Sequence, residues 1–292
     1  MRRGKFETSR SDIIASLNDT KIKLFTLEEM KHFFYQHRKE WELPPSSRFH
    51  EFIDYLLNNS KLKEYLFEFP TRNITRYTWG NISFYAIVSS LKQNSYFTHR
   101  TAMYLNKLID DESTDIYLNI EQRLNTKQDR SLEQQRIDMA FSRSVRSTNN
   151  LAKYDGKSIY LLNGMYTGNL GVYSAKWHGG AIRTTNLERT LIDIAVRPNY
   201  SGGVTEVAKA YRNARETVSV KKLADTLVKL NFIYPYHQVV GFYLDKSVAY
   251  DRNEIEIFRK FGLKFDFYLA HKMSKTIFSP EWRIHYPEDF RM

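Results

Sequence analysis

The sequence contains no cysteine. That one absence excludes disulfide frameworks, zinc–thiolate centres, iron–sulfur clusters and cysteine nucleophiles. Proline and glycine are sparse, 7 and 12 in 292 residues, which excludes a collagen-like or low-complexity chain. No apolar run approaches the about eighteen residues that a membrane-spanning helix needs. The basic start Met1-Arg2-Arg3 is followed by no apolar stretch, so no secretory signal and a cytoplasmic location are expected, with no membrane partner. Phosphate-cradling loops of the G-x-x-x-x-G-K-[ST] and G-x-G-x-x-G types are missing, and so is a G-x-S-x-G nucleophile elbow. None of the 8 histidines pairs with another at helical zinc-site spacing, and a Gly-Ser with Asp-x-Asp core is absent. The expectation is a protein that is not an enzyme and carries no cofactor and no metal.

What is present is positive charge and aromatic side chains. There are 44 Lys and Arg against 33 Asp and Glu, a formal charge of +11, with 19 Phe, 20 Tyr and 4 Trp. The excess is unevenly spread. From Phe69 to Ile109 there is no acid, while Arg72, Arg76, Lys92, Arg100 and Lys107 fall there. Between Asp138 and Glu188 the sole acid is Asp155, against Arg143, Arg146, Lys153, Lys157, Lys176 and Arg183. Two basic zones suggest anion-facing surfaces, and nucleic acid is the usual polyanion.

Hydrophobic spacing predicts a short helix at Ser11–Leu17 and an extended run at Ile22–Phe25. Thr26-Leu-Glu-Glu29 is a capping box, and its helix buries Leu27, Met30, Phe33 and Phe34. Leu43-Pro-Pro-Ser-Ser47 ends it and opens a helix to about Asn59, striped by Phe49, Phe52, Ile53, Leu56 and Leu57. Two aromatic- and Thr-rich runs, Glu64–Phe69 and Thr75–Gly80, flank a basic loop at Pro70–Ile74 and read as a β-hairpin. Helix, strand, helix, helix, ribbon is the order of a winged helix-turn-helix. Further on, helices are expected at Ile82–Leu91, His99–Ile109 and Leu132–Val145, and strands at Ser95–Thr98, Asp115–Glu121, Ser158–Leu162, Gly171–Ser174 and Gly180–Thr184. Asn125–Asp129 reads as a loop. Thr185-Asn-Leu-Glu188 is a second capping box, and four more helices and two strands follow. The fold class is α+β: a winged helix-turn-helix domain in residues 1–94, then a mixed α/β domain in residues 95–292.

In a winged helix the third helix enters the major groove with its first turn nearest the bases. That turn here offers Ser46, Ser47, Arg48 and His50. The wing offers Thr71, Arg72 and Asn73, with Arg76 on the returning strand, and Arg2, Arg3 and Lys5 are expected to form a flexible basic arm. Glu51 and Asp54 on the same helix argue against a phosphate-facing surface, and protein contact is the competing use of this module.

Thr185-Asn-Leu-Glu-Arg-Thr-Leu-Ile-Asp-Ile-Ala-Val-Arg-Pro198 with Tyr200-Ser-Gly-Gly203-Val-Thr-Glu-Val-Ala-Lys-Ala210 resembles the antitoxin domain of the AbiEi family. Glu188, Arg189, Thr190, Asp193, Gly202, Gly203 and Glu206 carry the match. Tyr96-Phe-Thr-His-Arg-Thr-Ala-Met-Tyr-Leu105 and Gly241-Phe-Tyr-Leu244 resemble its earlier and later elements. The resemblance implies an antitoxin whose winged helix binds operator DNA and represses its own operon, with two copies on repeated or inverted half-sites. It implies a cognate AbiEii-type nucleotidyltransferase toxin as partner and a role in phage defence. This chain departs from common members in its longer lead, its longer loop around Trp41–Pro45 and its tail beyond Leu244. For the matched residues helix capping, an i,i+4 pairing of Arg189 with Asp193 and a glycine-shaped helix start are equally available roles. Two rival readings remain: a free-standing transcription factor with a ligand-sensing second domain, and a metal-dependent nucleic-acid-processing enzyme.

Overall fold

A computed structural model describes residues 4–124 and 131–291. The chain begins with helices α1 (Lys5–Thr8) and α2 (Arg10–Asp19), strand β1 (Leu24–Thr26), and helices α3 (Leu27–His37) and α4 (Phe49–Asn59). The ribbon β2 (Leu62–Phe69) and β3 (Arg72–Trp79) follows, and β1 pairs with β3 to complete an antiparallel sheet of order β1-β3-β2. The Thr26 capping box forms as its spacing predicts: Thr26 Oγ1 accepts from the Glu29 amide at 3.2 Å, and the Glu29 carboxylate accepts from the Thr26 amide at 2.7 Å. Met30 and Phe34 of α3 and Phe52 and Leu56 of α4 then close on Ile13, Leu17 and Phe25. The long loop is also part of this core. Trp41 is fully buried, stacks on Phe52 at 5.5 Å and donates its indole N–H to Ser16 Oγ at 3.0 Å.

The ribbon is tighter than the sequence suggested. Pairing runs out to Phe69–Arg72, so the turn is Pro70-Thr71 alone, and Arg72 and Asn73 belong to β3. Its two faces have different fates, as the two-residue period of a strand requires. At the root, Leu62, Tyr77 and Trp79 face the helices. Towards the tip, Tyr65, Phe67, Phe69 and Ile74 face the opposite way and join the core of the second half. Phe67 lies 5.1 Å from Tyr154, and Tyr65 5.5 Å from the same ring.

The second half opens with α5 (Phe84–Ser89), β4 (Tyr96–Phe97), α6 (His99–Leu105), β5 (Asp115–Glu121), α7 (Gln134–Phe141) and β6 (Leu151–Tyr154). Strands β7 (Lys157–Gly164), β8 (Val172–Trp177) and β9 (Gly180–Thr185) complete a six-stranded sheet of order β6-β7-β5-β4-β9-β8. The α+β class stands, but the sheet is mixed. Pairs β5–β7 and β4–β9 are parallel, because the intervening segments cross over rather than turn back. Strand β6 had no sequence signal. Helix α5, grouped with the first domain by sequence, packs on this sheet, with Tyr85 5.4 Å from Phe97. The expected loop at Asn125–Asp129 lies outside the described residues.

A helical block follows: α8 (Leu187–Val196), a 3-10 turn at Pro198–Tyr200, α9 (Val204–Asn213), α10 (Val220–Leu230), α11 (Tyr236–Lys246) and α12 (Arg252–Arg259). Strands β10 (Phe267–Tyr268), β11 (Thr276–Ser279) and β12 (Ile284–Pro287) form a small sheet that folds the tail back onto α11. Trp282 there is fully buried against Gly241, where an added methyl would lie 2.1 Å from the indole. The second capping box is replaced by a single cap one residue later. Asn186, not Thr185, accepts from the Arg189 amide, and Glu188 instead accepts from the Ser219 amide at the start of α10.

Candidate nucleic-acid interface

Helix α4 begins at Phe49 with Arg48 as its N-cap, so Ser46 and Ser47 precede the first turn rather than forming it. Ser46, Arg48 and His50 are exposed. Ser47 is 3% exposed and its hydroxyl has no partner among the described residues, which removes it from the outer surface. Glu51, the acid that argued against a phosphate-facing helix, is already occupied. Its carboxylate receives Lys5 Nζ at 2.5 Å and the Arg48 amide at 3.1 Å. The Lys5 hydrogen bond, then that of Arg48, hold its carboxyl below the usual range. Helix α1 is tied along α4 by Phe6 stacking on Tyr55 at 5.6 Å, and this brings Lys5 to that first turn. Asp54 remains exposed. Arg2 and Arg3 lie outside the described residues.

At the ribbon's turn Thr71, Arg72 and Asn73 are exposed. Arg76 is not available with them. It is 7% exposed and donates to Ser90 Oγ at 2.9 Å, the Ser90 carbonyl at 2.6 Å and the Thr75 carbonyl at 2.8 Å. Ser90 is the C-cap of α5, so the guanidinium meets the negative end of that helix. Burial lowers its pKa, with Glu29 opposing. Arg76 therefore joins the ribbon to the second half instead of facing solvent. The ribbon's outward face also carries Glu64 and Glu68, both exposed.

Of the second group of sequence-marked residues, Arg189 and Asp193 are buried, Glu188 and Gly203 are half-buried and Gly202 is exposed. Arg189 Nε donates to Asp193 Oδ1 at 2.7 Å, and Arg189 Nη1 donates to the Leu170 carbonyl at 2.7 Å and Thr167 Oγ1 at 3.1 Å. Asp193 Oδ2 accepts from Thr98 Oγ1 at 3.0 Å. Thr167 in turn gives its amide and hydroxyl to Glu121, which also receives Tyr96. Burial works against the Arg189 charge, but Asp193, Tyr96 and Glu121 outweigh it and raise its pKa. Gly202 and Gly203 take φ of +86° and +92°, which disfavours any side chain. A methyl on Gly202 would also lie 2.5 Å from Arg100, whose guanidinium approaches Glu206 at 3.7 Å. Sequence reasoning marked Glu188, Arg189, Asp193 and the glycines, but not Thr98, Glu121 or Thr167, which are brought in by strands distant in the chain. His99 was read only as part of the Tyr96–Leu105 segment and given no role. It sits in the left-handed region at φ +51°, edge-on to Tyr200 at 5.4 Å, with Nδ1 unpartnered among the described residues. Burial pushes its imidazole down to about 4.

Among the described residues no three His, Asp or Glu side chains come together to hold a metal ion, and no helix is long and apolar enough to cross a membrane. No family model matches the chain, and no curated protein does. One similar solved structure is that of the RV2827C protein from Mycobacterium tuberculosis, at a TM-score of 0.59 and 14% identity, covering 96% of this chain and 91% of that one. The likeness extends over nearly the whole of both chains and is one of fold.

Proposed function

We propose that the chain is a DNA-binding antitoxin of the AbiEi type, with an N-terminal winged helix that represses its own operon. In this reading α3 and α4 are the helix-turn-helix, and the ribbon is the wing. The observation that carries it is the exposed pair Arg48 and His50 at the start of α4, together with exposed Arg72 at the ribbon's turn. The first turn of α4 approaches base edges and phosphates in the major groove, and Arg72 reaches the flanking backbone. Neutralisation of Glu51 by Lys5 removes the nearest repulsive charge. Two copies bind repeated or inverted half-sites.

The second half counteracts a nucleotidyltransferase toxin encoded beside it. This part is supported by the convergence of the segments that resemble the family. Tyr96–Leu105 meets Thr185–Ala210 through Thr98–Asp193, Arg100–Glu206 and Asn106 donating to Thr190 Oγ1 at 3.1 Å. The protein acts by binding, in the cytoplasm, without a cofactor.

The test is fluorescence anisotropy of the full chain on its own upstream duplex, across a salt series. Preference over random duplex, with log K falling by about 0.9 per phosphate contact against log salt, supports the repressor reading. No preference over random duplex removes it, and co-expression with the adjacent reading frame then tests the antitoxin half alone.

A further inference from the structure

We propose that the cavity lined by the α10–α11 loop, the start of α11 and the segment after α12 binds a small aromatic acid with a ring N–H, which donates to Gln238 while the carboxylate meets Lys264. This site lies in the second half of the chain and is separate from the duplex contact assigned to α4 and the ribbon.

The cavity measures about 210 Å³, and Phe232, Phe261 and Phe265 contribute to its wall. Drug-sized pockets begin at about 300 Å³, so one ring or two fused rings fit here and a nucleotide does not. The local sequence builds this wall. Asn231 ends α10 in the left-handed conformation and Pro235 precedes α11, so the aromatic run between them is loop rather than helix. Gly262, at φ +85°, turns the chain after α12 between Phe261 and Phe265. Ile233 and Phe261, both lining residues, are exposed, so the cavity is reached from solvent.

Gln238 supplies the polar group. It is the third residue of α11, is fully buried and belongs to the cavity wall. Its Nε2 donates to the Phe265 carbonyl at 2.9 Å and to the Trp282 carbonyl at 2.8 Å. Both amide protons are thereby used, and the two carbonyls fix which end of the amide is nitrogen. Oε1 is left as a buried acceptor with no partner among the described residues. A buried acceptor without a donor is unfavourable, and a ligand N–H satisfies it. The described wall contains no carboxylate, and Lys264 is its cation. Lys264 is exposed, and its Nζ lies 5.2 Å from the centre of the Phe265 ring. His237 adds no charge at neutral pH. Burial pushes its imidazole pKa down, the Gly262 carbonyl opposing, and Nε2 meets that carbonyl at 2.7 Å. An unpartnered acceptor, aromatic walls and one cation suit a flat ligand that carries an N–H and a carboxylate.

The probes are indole-3-acetate, indole and 1-naphthylacetate, titrated into the full chain by isothermal calorimetry without DNA. Indole-3-acetate binds saturably and raises the melting temperature as its concentration rises. 1-Naphthylacetate, of like shape and charge but without the N–H, binds at least about tenfold more weakly. Lys264→Ala weakens indole-3-acetate about threefold and leaves indole unchanged. Ile233→Trp fills the cavity from an exposed position and abolishes binding of all three. Gln238→Met would also release the Phe265 and Trp282 carbonyls, so the acceptor is read from the ligand pair instead. Arg48→Ala leaves these titrations unchanged, so this result and that of the duplex test are read separately. The proposal is overturned if indole-3-acetate shows no saturable binding, if 1-naphthylacetate binds as tightly, or if the Ile233→Trp protein binds like the wild type.

Discussion

The arginines that the sequence marks in the two halves of the molecule are used in opposite ways. In the first, Arg48 and Arg72 stand in solvent with no carboxylate partner among the described residues, while the fold around them is held by aromatic packing and local caps. In the second, Arg189 is 5% exposed, its bond to Asp193 is buried and those to Thr167 and the Leu170 carbonyl are part-buried. Arg76, though on the ribbon, belongs to the second pattern. An exposed guanidinium adds little to stability and is free for a ligand. A buried one is costly to desolvate and persists only where several acceptors converge. Charge in the sequence is therefore a guide to binding only after burial is known.

Arg189→Ala is the strongest way to break this contrast. It leaves Asp193 buried with one neutral donor and should cost about 3 to 5 kcal/mol in urea denaturation. Replacing both members, Arg189→Met with Asp193→Leu, should recover a large part of that loss. An unchanged midpoint for Arg189→Ala would mean the pair is not buried as described.

Acidification probes the same half. The folded state holds His99 neutral down to about 4, while the unfolded chain protonates near 6.5. The unfolded state thus binds more protons between these values, so stability rises with pH from about 4 to 6.5 and is level above. This group contributes about 3 kcal/mol across that window. His99→Asn, which tolerates the left-handed backbone, should flatten that share of the curve in a pH series of denaturant melts.

Smaller effects follow at the join and in the first half. Arg76→Ala strands the Ser90 carbonyl and should cost about 1 to 3 kcal/mol. Thr26→Ala removes one arm of a local cap and should lower stability by about 1 kcal/mol. Arg48→Ala and Arg72→Ala should shift stability by under about 0.5 kcal/mol while weakening duplex binding in the anisotropy assay. Loss of stability in these last two would erase the contrast between the halves.

Much of the first half was legible because its signals are local. The Thr26 box, the α3 and α4 stripes and the Asn59 end are read within one or two helical turns. The same holds for α9 and α10, with Ser219 as cap. The candidate site was less legible. Arg48, His50, Arg72 and their neighbours emerged exposed, but Ser47 and Arg76 turned inward. Nothing in their immediate sequence marks the difference, since Arg76 is buried by α5, which is formed by residues further along the chain.

The sequence by itself determined the ribbon and most of the helices, though not α1, because caps, turn residues and apolar period act over a few residues. It also determined the basic zones, since charge is a property of composition. Tertiary structure alone decided that β5 and β7 run parallel, that Glu51 is neutralised by Lys5, and that Thr98, Glu121 and Thr167 surround Arg189 with Asp193. Those outcomes depend on burial and on partners far apart in the chain. The cost of desolvating a polar group is set by what the whole fold brings to it.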